Sequence, residues 1–171
     1  MGCAYCNDSE SKLSREHIIP ECFLNATDRL SMITWFNAVP KRIMKGDMVI
    51  KDVCEQCNGK HLSKLDNYSF HLIKSYNGKI NHDTRKLFFK YNFNLLSRWL
   101  LKVAYNSARA NKAKYDSDLY KKIAPYIIKN EPASLRFSIF VQLMDLSIEN
   151  KPKHNYYHFE SKSAYAIDFF R

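Results

Sequence analysis

The stretch C-E-Q-C-N-G-K-H, residues 54–61, places two cysteines three positions apart, and C-A-Y-C at residues 3–6 has the same spacing. Two such pairs can present four thiolates to one tetrahedral zinc ion, with Zn–S bonds of ~2.3 Å. Disulfides are disfavoured in a reducing cytosol, and a redox C-x-x-C would not need a second pair. The sequence therefore predicts a closed, structural zinc site whose ligands are Cys3, Cys6, Cys54 and Cys57.

A second informative stretch lies between the two cysteine pairs and reads S-R-E-H-I-I-P-E-C, residues 14–22. Here a carboxylate and an imidazole, Glu16 and His17, precede a short apolar strand that Pro20 ends. A histidine titrates near neutral pH and can take a proton from water. An isolated pair of this kind would be interpreted as surface residues before a buried strand. Between two cysteine pairs, Glu16 and His17 become candidates for catalysis.

The order of these motifs resembles the HNH endonucleases of the ββα-metal class. C-x-x-C, then E-H-I-I-P, then C-x-x-C-N before a lysine-containing helix is similar to the branch held by a four-cysteine zinc site, over roughly residues 1–67. The resemblance implies hydrolysis of DNA phosphodiester bonds to a 5′-phosphate and a 3′-hydroxyl. It implies that His17 is the general base and that Glu16 and Asn58 hold a divalent metal, with His61 as a second ligand or phosphate contact. Oxygen-rich ligands favour Mg²⁺ or Mn²⁺, and added imidazole would also admit Zn²⁺ or Ni²⁺.

The chain departs from the family pattern in two places. The family often has an asparagine about nine residues before the helix ligand, where this chain has Val49. Asp47 and, further off, Asn37 are the polar candidates nearby, so the residue that orients His17 stays open. The Gly-Gly turn often seen after the histidine segment is also missing, and residues 21–46 form a long connection in its place.

Positive charge is concentrated in the second part of the chain. The 171 residues contain 27 Lys and Arg against 17 Asp and Glu, a net charge of +10, and the whole excess lies after residue 67. A polyanionic partner, with DNA expected and RNA left open, explains this asymmetry, and a solubilising lysine-rich surface explains it equally well. The candidate phosphate contacts, which as exposed charges could equally be plain solvated surface, are Arg15, Lys60, Lys64, Arg98, Lys102 and Arg109.

The second part of the chain has helical and then strand-like patterns. A helix is predicted from about residue 54 to Tyr76, and residues 94–112 have the periodicity of an amphipathic helix. A basic stripe runs along that second helix and could follow a phosphate backbone, although a solvated helix face has the same pattern. A further helix is predicted to about Lys129, bent or broken at Pro125. The members of the basic stripe are Arg98, Lys102, Tyr105, Arg109 and Lys112.

These patterns predict an α+β fold in two parts. Residues 1–70 would form an HNH module with a structural zinc, and residues 71–171 a basic domain of helices and a small antiparallel sheet. Alternating residues at 135–143 predict the first strand of that sheet. The second domain would bind nucleic acid or a partner protein.

The composition also limits where the protein works. No apolar run approaches the ~20 residues that a membrane span requires, and the first ten residues have no apolar signal core. A cytoplasmic protein without a membrane partner is therefore expected. The family setting of phages, mobile elements or bacterial defence is compatible with a homodimer or a larger phage or defence complex.

Two alternatives from other functional classes stay open. A zinc-stabilised nucleic-acid-binding protein without turnover would keep the cysteines and the basic half but would not need His17. A zinc-stabilised protein-interaction module would bind a partner through its C-terminal sheet and would have little affinity for DNA at ~0.1 M salt.

Overall fold

A computed structural model of the chain describes residues 2–22, 34–37, 42–45, 48–76, 89–133 and 137–138. Its strands are β1 (Leu13–His17), β2 (Thr34–Asn37), β3 (Arg42–Lys45) and β4 (Val49–Cys54). A π-helical segment (Cys57–Leu62) leads into α1 (Ser63–Tyr76), and α2 (Phe93–Ala110), α3 (Lys114–Lys121) and α4 (Ala124–Lys129) follow. The mixture of helices with small antiparallel sheets confirms the predicted α+β class.

Strands β1 and β4 form an antiparallel pair that carries the central motifs. Leu13 lies opposite Cys54 and His17 lies opposite Val49, with a register shift between Ser14 and Glu16. Because alternate residues of a strand point to opposite faces, Arg15 is exposed and Glu16 is buried. The strand pair therefore turns the Glu16 side chain into the core.

The long connection between β1 and β4 contains a second antiparallel pair. Strands β2 and β3 pair from Thr34 opposite Lys45 to Asn37 opposite Arg42. This pair was not predicted from the sequence, which indicated only a connection over residues 21–46.

The helices agree with the sequence patterns to within a few residues. Helix α1 ends at Tyr76, and α2 begins after Asn92, whose side chain accepts a hydrogen bond from the Leu95 amide at 3.1 Å. That bond satisfies one of the donors left unpaired at a helix start. The predicted third helix is divided into α3 and α4. Pro125 lies in the first turn of α4, where its missing N–H costs no helical hydrogen bond.

Helix α2 lies at the centre of the fold. It contacts α1, β4, α3 and α4, and its Trp99 and Val103 are buried in one hydrophobic cluster that extends from Cys3 to Ile128. The predicted boundary at residue 70 falls within α1, and both sides of it contribute to this core. The strands predicted after residue 134 lie almost entirely outside the described residues. In the described ranges, no helix combines the length and apolarity needed to cross a membrane.

Candidate functional site

The four predicted zinc ligands meet at one end of the β1–β4 pair. The sulfur atoms of Cys3, Cys6, Cys54 and Cys57 all lie within 4.8 Å of one another, and those of Cys6 and Cys54 are 3.7 Å apart. Four sulfurs at ~2.3 Å from a tetrahedral zinc ion would be separated by about 3.8 Å. The cluster therefore fits a zinc ion held by four cysteines.

Backbone geometry at the first cysteine pair supports this interpretation. The Cys3 amide donates to the Asp8 carbonyl at 2.7 Å and the Asn7 amide to the Cys3 carbonyl at 2.8 Å, with Asn7 at a φ of 60°. A Cβ atom on Gly2 would lie 2.7 Å from the Asn7 carbonyl oxygen, so only glycine permits this close turn. The Cys54 amide also donates to the Cys3 sulfur at 3.3 Å, which is how amides stabilise a thiolate.

Electrostatics also favour a cation between the four sulfurs. Burial raises the pKa of the Cys3 thiol, but hydrogen bonds from the amides of Cys54, Cys6 and Tyr5 outweigh it and lower that pKa to about 7. Burial and the neighbouring thiols instead raise the pKa of Cys57 well above its ordinary value. Without a cation the cluster resists losing all its protons, and a bound zinc ion would remove that resistance.

His17 lies on β1, and Asn58 lies on the π-helical segment that begins at Cys57. His17 ends β1 and is half-buried, and its Nδ1 atom is buried without a hydrogen-bond partner in the described part of the chain. Asn58 lies in the π-helical segment, and its Nδ2 donates to the Ser14 hydroxyl at 3.0 Å and to the Arg15 carbonyl at 2.8 Å. Asn58 thus fixes the helix against β1 two residues before His17.

Glu16 has a different environment from the one predicted. It is 3% exposed, and its Oε1 lies 2.6 Å from the Nζ of Lys102, which is itself 0% exposed. The same ammonium group lies 2.9 and 3.0 Å from the two carboxylate oxygens of Asp66 on α1. One lysine of α2 therefore bridges carboxylates from β1 and α1.

Asn106 completes this arrangement one turn further along α2. Its Nδ2 donates to Glu16 at 3.1 Å, and its Oδ1 accepts from Tyr5 at 2.7 Å and from Arg109 at 2.8 Å. Asn106 is 0% exposed, so these bonds satisfy an amide that burial would otherwise make unfavourable. Glu16, Asp66, Lys102 and Asn106 are called the buried charge cluster below.

Burial raises the pKa of both carboxyl groups of this cluster. For Glu16 and for Asp66 desolvation is the largest influence, and the positive charge of Lys102 opposes it. The ammonium group of Lys102 lies between the two carboxylates. The cluster is stable only while all three groups keep their partners, because loss of one would leave an uncompensated buried charge.

The assignment of Glu16 and Asn58 as ligands of a catalytic metal stays a prediction, and the Oε1 atom of Glu16 already contacts Lys102 and Asn106. A second prediction needs correction. Lys102 and Arg109 were expected on an exposed basic stripe, but Lys102 is buried and Arg109 donates to Asp52 at 2.8 Å. These two members of the stripe face the strands, where the carboxylates of Glu16 and Asp52 neutralise them.

The other predicted contacts remain at or near the surface. Arg15, Lys60 and Lys64 are exposed, and His61 and Arg98 are half-buried. Burial, followed by the charges of Lys60, Lys64 and Arg98, lowers the pKa of His61. None of these five side chains forms an ion pair with a described acidic residue.

Sequence reasoning missed Asp66, Asn106, Tyr5 and Asp52 as members of polar networks. Asp66 occurs in K-L-D-N after the second cysteine pair, and Asn106 lies within the predicted amphipathic helix. A polar residue in the middle of an apolar helix face was the one signal for Asn106, and its partners are 90 and 101 positions away in the chain.

No protein-family model, no curated protein and no solved structure matches this chain. The interpretation of the site consequently depends on its own residues and geometry.

Proposed function

We propose that this protein is an HNH-type endonuclease that hydrolyses phosphodiester bonds of DNA, with His17 as the general base. The observation that carries the proposal is the bond between the Asn58 amide and the Arg15 carbonyl, 2.8 Å long. It joins β1, beside His17, to the π-helical segment that begins at Cys57 of the cysteine cluster. A strand-borne histidine and a helix-borne asparagine in a zinc-stabilised frame are the parts that the family resemblance requires.

His17 would act on the attacking water. A neutral imidazole has one acceptor nitrogen and can take the proton as the water oxygen approaches phosphorus. Because His17 is half-buried, fewer bulk water molecules can hydrogen-bond to its imidazole, while the imidazole stays accessible to substrate. The Nδ1 atom has no hydrogen-bond partner among the described residues, so the residue that orients His17 stays open.

Asn58 would position rather than react. Both of its amide protons are directed at β1, which leaves Oδ1 as the atom that could accept from, or coordinate, a group at the cleavage site. A divalent metal supplies charge for the pentacoordinate phosphate when it is bound. Because Glu16 pairs with Lys102, the proposal assigns no step to a metal held by Glu16.

The experiment is nicking of supercoiled plasmid by purified protein in Mg²⁺, Mn²⁺ or EDTA, with zinc content measured in the same samples. His17→Ala should lower the nicking rate by about 10²–10⁴-fold, which is the usual contribution of a general base, and should keep its zinc. The matched control is His71→Ala, because His71 is an exposed histidine on α1 outside the site. Equal nicking by wild type and His17→Ala would show that the nuclease proposal is wrong.

One observation favours a second candidate, a zinc-stabilised DNA-binding protein without turnover. The pairing of Glu16 with Lys102 removes the carboxylate that the nuclease family uses beside its base. In that case neither wild type nor His17→Ala would nick the plasmid, and both would retard it equally on a gel.

A further inference from the structure

A depression with positively charged walls lies where α1, α2 and α4 meet. Its cavity volume is about 380 Å³, and three aliphatic side chains, Leu65, Leu95 and Ile128, form part of its lining. The remaining lining residues are basic, and they define what is called the basic pocket: His61, Lys64, Arg98 and Lys129. Within the part of the chain that the structure describes, no carboxylate lines it.

The guanidinium group of Arg98 is held in place at this pocket. Its Nε donates to the Ile127 carbonyl at 2.8 Å and its Nη1 to the Asn94 side chain at 3.4 Å. Within the described residues, its Nη2 has no hydrogen bond. A fixed guanidinium with donors to spare is suited to a phosphate oxygen, because little rotamer entropy is lost on binding.

The positive charge of the pocket is poorly neutralised. Lys129 approaches Glu131 at 3.8 Å, but both side chains are more than half exposed, so this pair contributes little. The lowered pKa of His61, caused first by burial and then by the neighbouring cations, reflects the same unbalanced charge.

Capping of α4 explains part of this arrangement but not all of it. Arg98 bonds the Ile127 carbonyl and His61 interacts with the Ile128 backbone, which satisfies carbonyls at the helix end. The exposed Lys64 from α1 has no such role, yet it lines the same depression opposite Lys129.

We propose that the basic pocket binds one phosphate group of a DNA strand held by the protein. This inference deepens the proposed function and rests on its DNA-binding part, but it does not require cleavage. A phosphate group has several acceptor oxygens, which the fixed guanidinium group and the two flexible ammonium groups of the pocket can contact together.

The test uses the full chain and a fluorescein-labelled 20-base-pair DNA duplex, with affinity measured by anisotropy over a range of salt concentrations. The variant is Lys64→Gln/Lys129→Gln, because both lysines are exposed and their substitution should leave the fold intact. The matched control is Lys12→Gln/Lys121→Gln, which removes the same charge from exposed lysines outside the pocket. His17→Ala is included to separate binding from cleavage.

The pocket variant should bind about tenfold more weakly at ~0.1 M salt, and its salt slope should fall by about 1, since one phosphate contact is lost. The lysine control and His17→Ala should bind like wild type. That pattern supports the pocket even if no protein nicks DNA, in which case only the nuclease proposal fails.

Three outcomes would overturn the inference. The first is equal affinity and salt slope for the pocket variant and the lysine control. The second is no binding of DNA by wild type. The third comes from a thermal-shift arm with inorganic phosphate. If phosphate stabilises wild type but not the pocket variant while DNA affinity is unchanged, the pocket accepts a free anion and not a strand.

Discussion

Lys102 and Arg98 lie about one turn apart on α2, yet their surroundings differ. Lys102 is fully buried between the carboxylates of Glu16 and Asp66, whereas Arg98 lines a pocket whose described residues include no carboxylate. The buried charge cluster holds the strands, α1 and α2 together, and the basic pocket leaves positive charge available to a ligand. A basic stripe in a sequence therefore predicts a polyanion partner only where acidic partners are absent.

The largest expected effect follows loss of zinc, since the cysteine cluster fixes the strands that bring Glu16 to Lys102. Cys57→Ser should lose zinc and about 5 kcal/mol or more of the free energy of unfolding, because metal binding contributes directly to folding. Zinc content and urea denaturation measure the two effects. Cys22→Ser, outside the cluster, is the control and should keep both zinc and stability.

A Cys57→Ser protein that unfolds at the wild-type urea concentration would contradict a structural zinc. The buried charge cluster would then have to form without help from the cysteines.

The next effect in size is that of the buried ammonium. Lys102→Met should lower the free energy of unfolding by about 3–5 kcal/mol, because it leaves two carboxylates buried without their cation. Lys64→Met in the basic pocket is the matched change and should stay within about 0.5 kcal/mol of wild type. Similar denaturation midpoints for the two variants would mean that both lysines are solvated.

Substitution of Asn106 tests the polar network around the ammonium group of Lys102. Asn106→Ala should cost about 1–3 kcal/mol, because it removes partners from buried Tyr5 and Glu16. Asn111→Ala, at the end of the same helix, is a suitable comparison, since Asn111 is only half-buried. A smaller loss at Asn106 than at Asn111 would contradict the network.

The smallest effect concerns pH and the basic pocket. The pKa of His61 is lowered in the folded protein, so the unfolded chain binds more protons near its ordinary pKa of 6.5. This group therefore disfavours folding as the pH falls through that value, and stability rises again with pH. His61→Gln should reduce the difference in melting temperature between about pH 5.5 and 7.5.

Local patterns predicted a large part of the fold. The cysteine spacing identified the metal cluster, and apolar periodicity located α2. The β2–β3 pair was missed because residues 21–46 contain no motif of the family. A bend or break of the third helix at Pro125 was predicted, and in the structure Pro125 lies in the first turn of a separate helix, α4. The assignments of DNA as partner, of His17 as base and of a catalytic metal stay predictions.

The sequence by itself determined the four-cysteine cluster, because that cluster depends on repeated spacing. It placed Glu16 and His17 before a short strand, whereas in the structure His17 is the last residue of β1. Only the tertiary structure decided which cations are neutralised. Glu16 and Lys102 are 86 positions apart, and no local pattern distinguishes a lysine that meets a buried carboxylate from one that meets solvent. That distinction depends on whether the charge is paired. A paired charge can be buried and can connect secondary-structure elements, whereas an unpaired charge stays at the surface because burying it costs free energy.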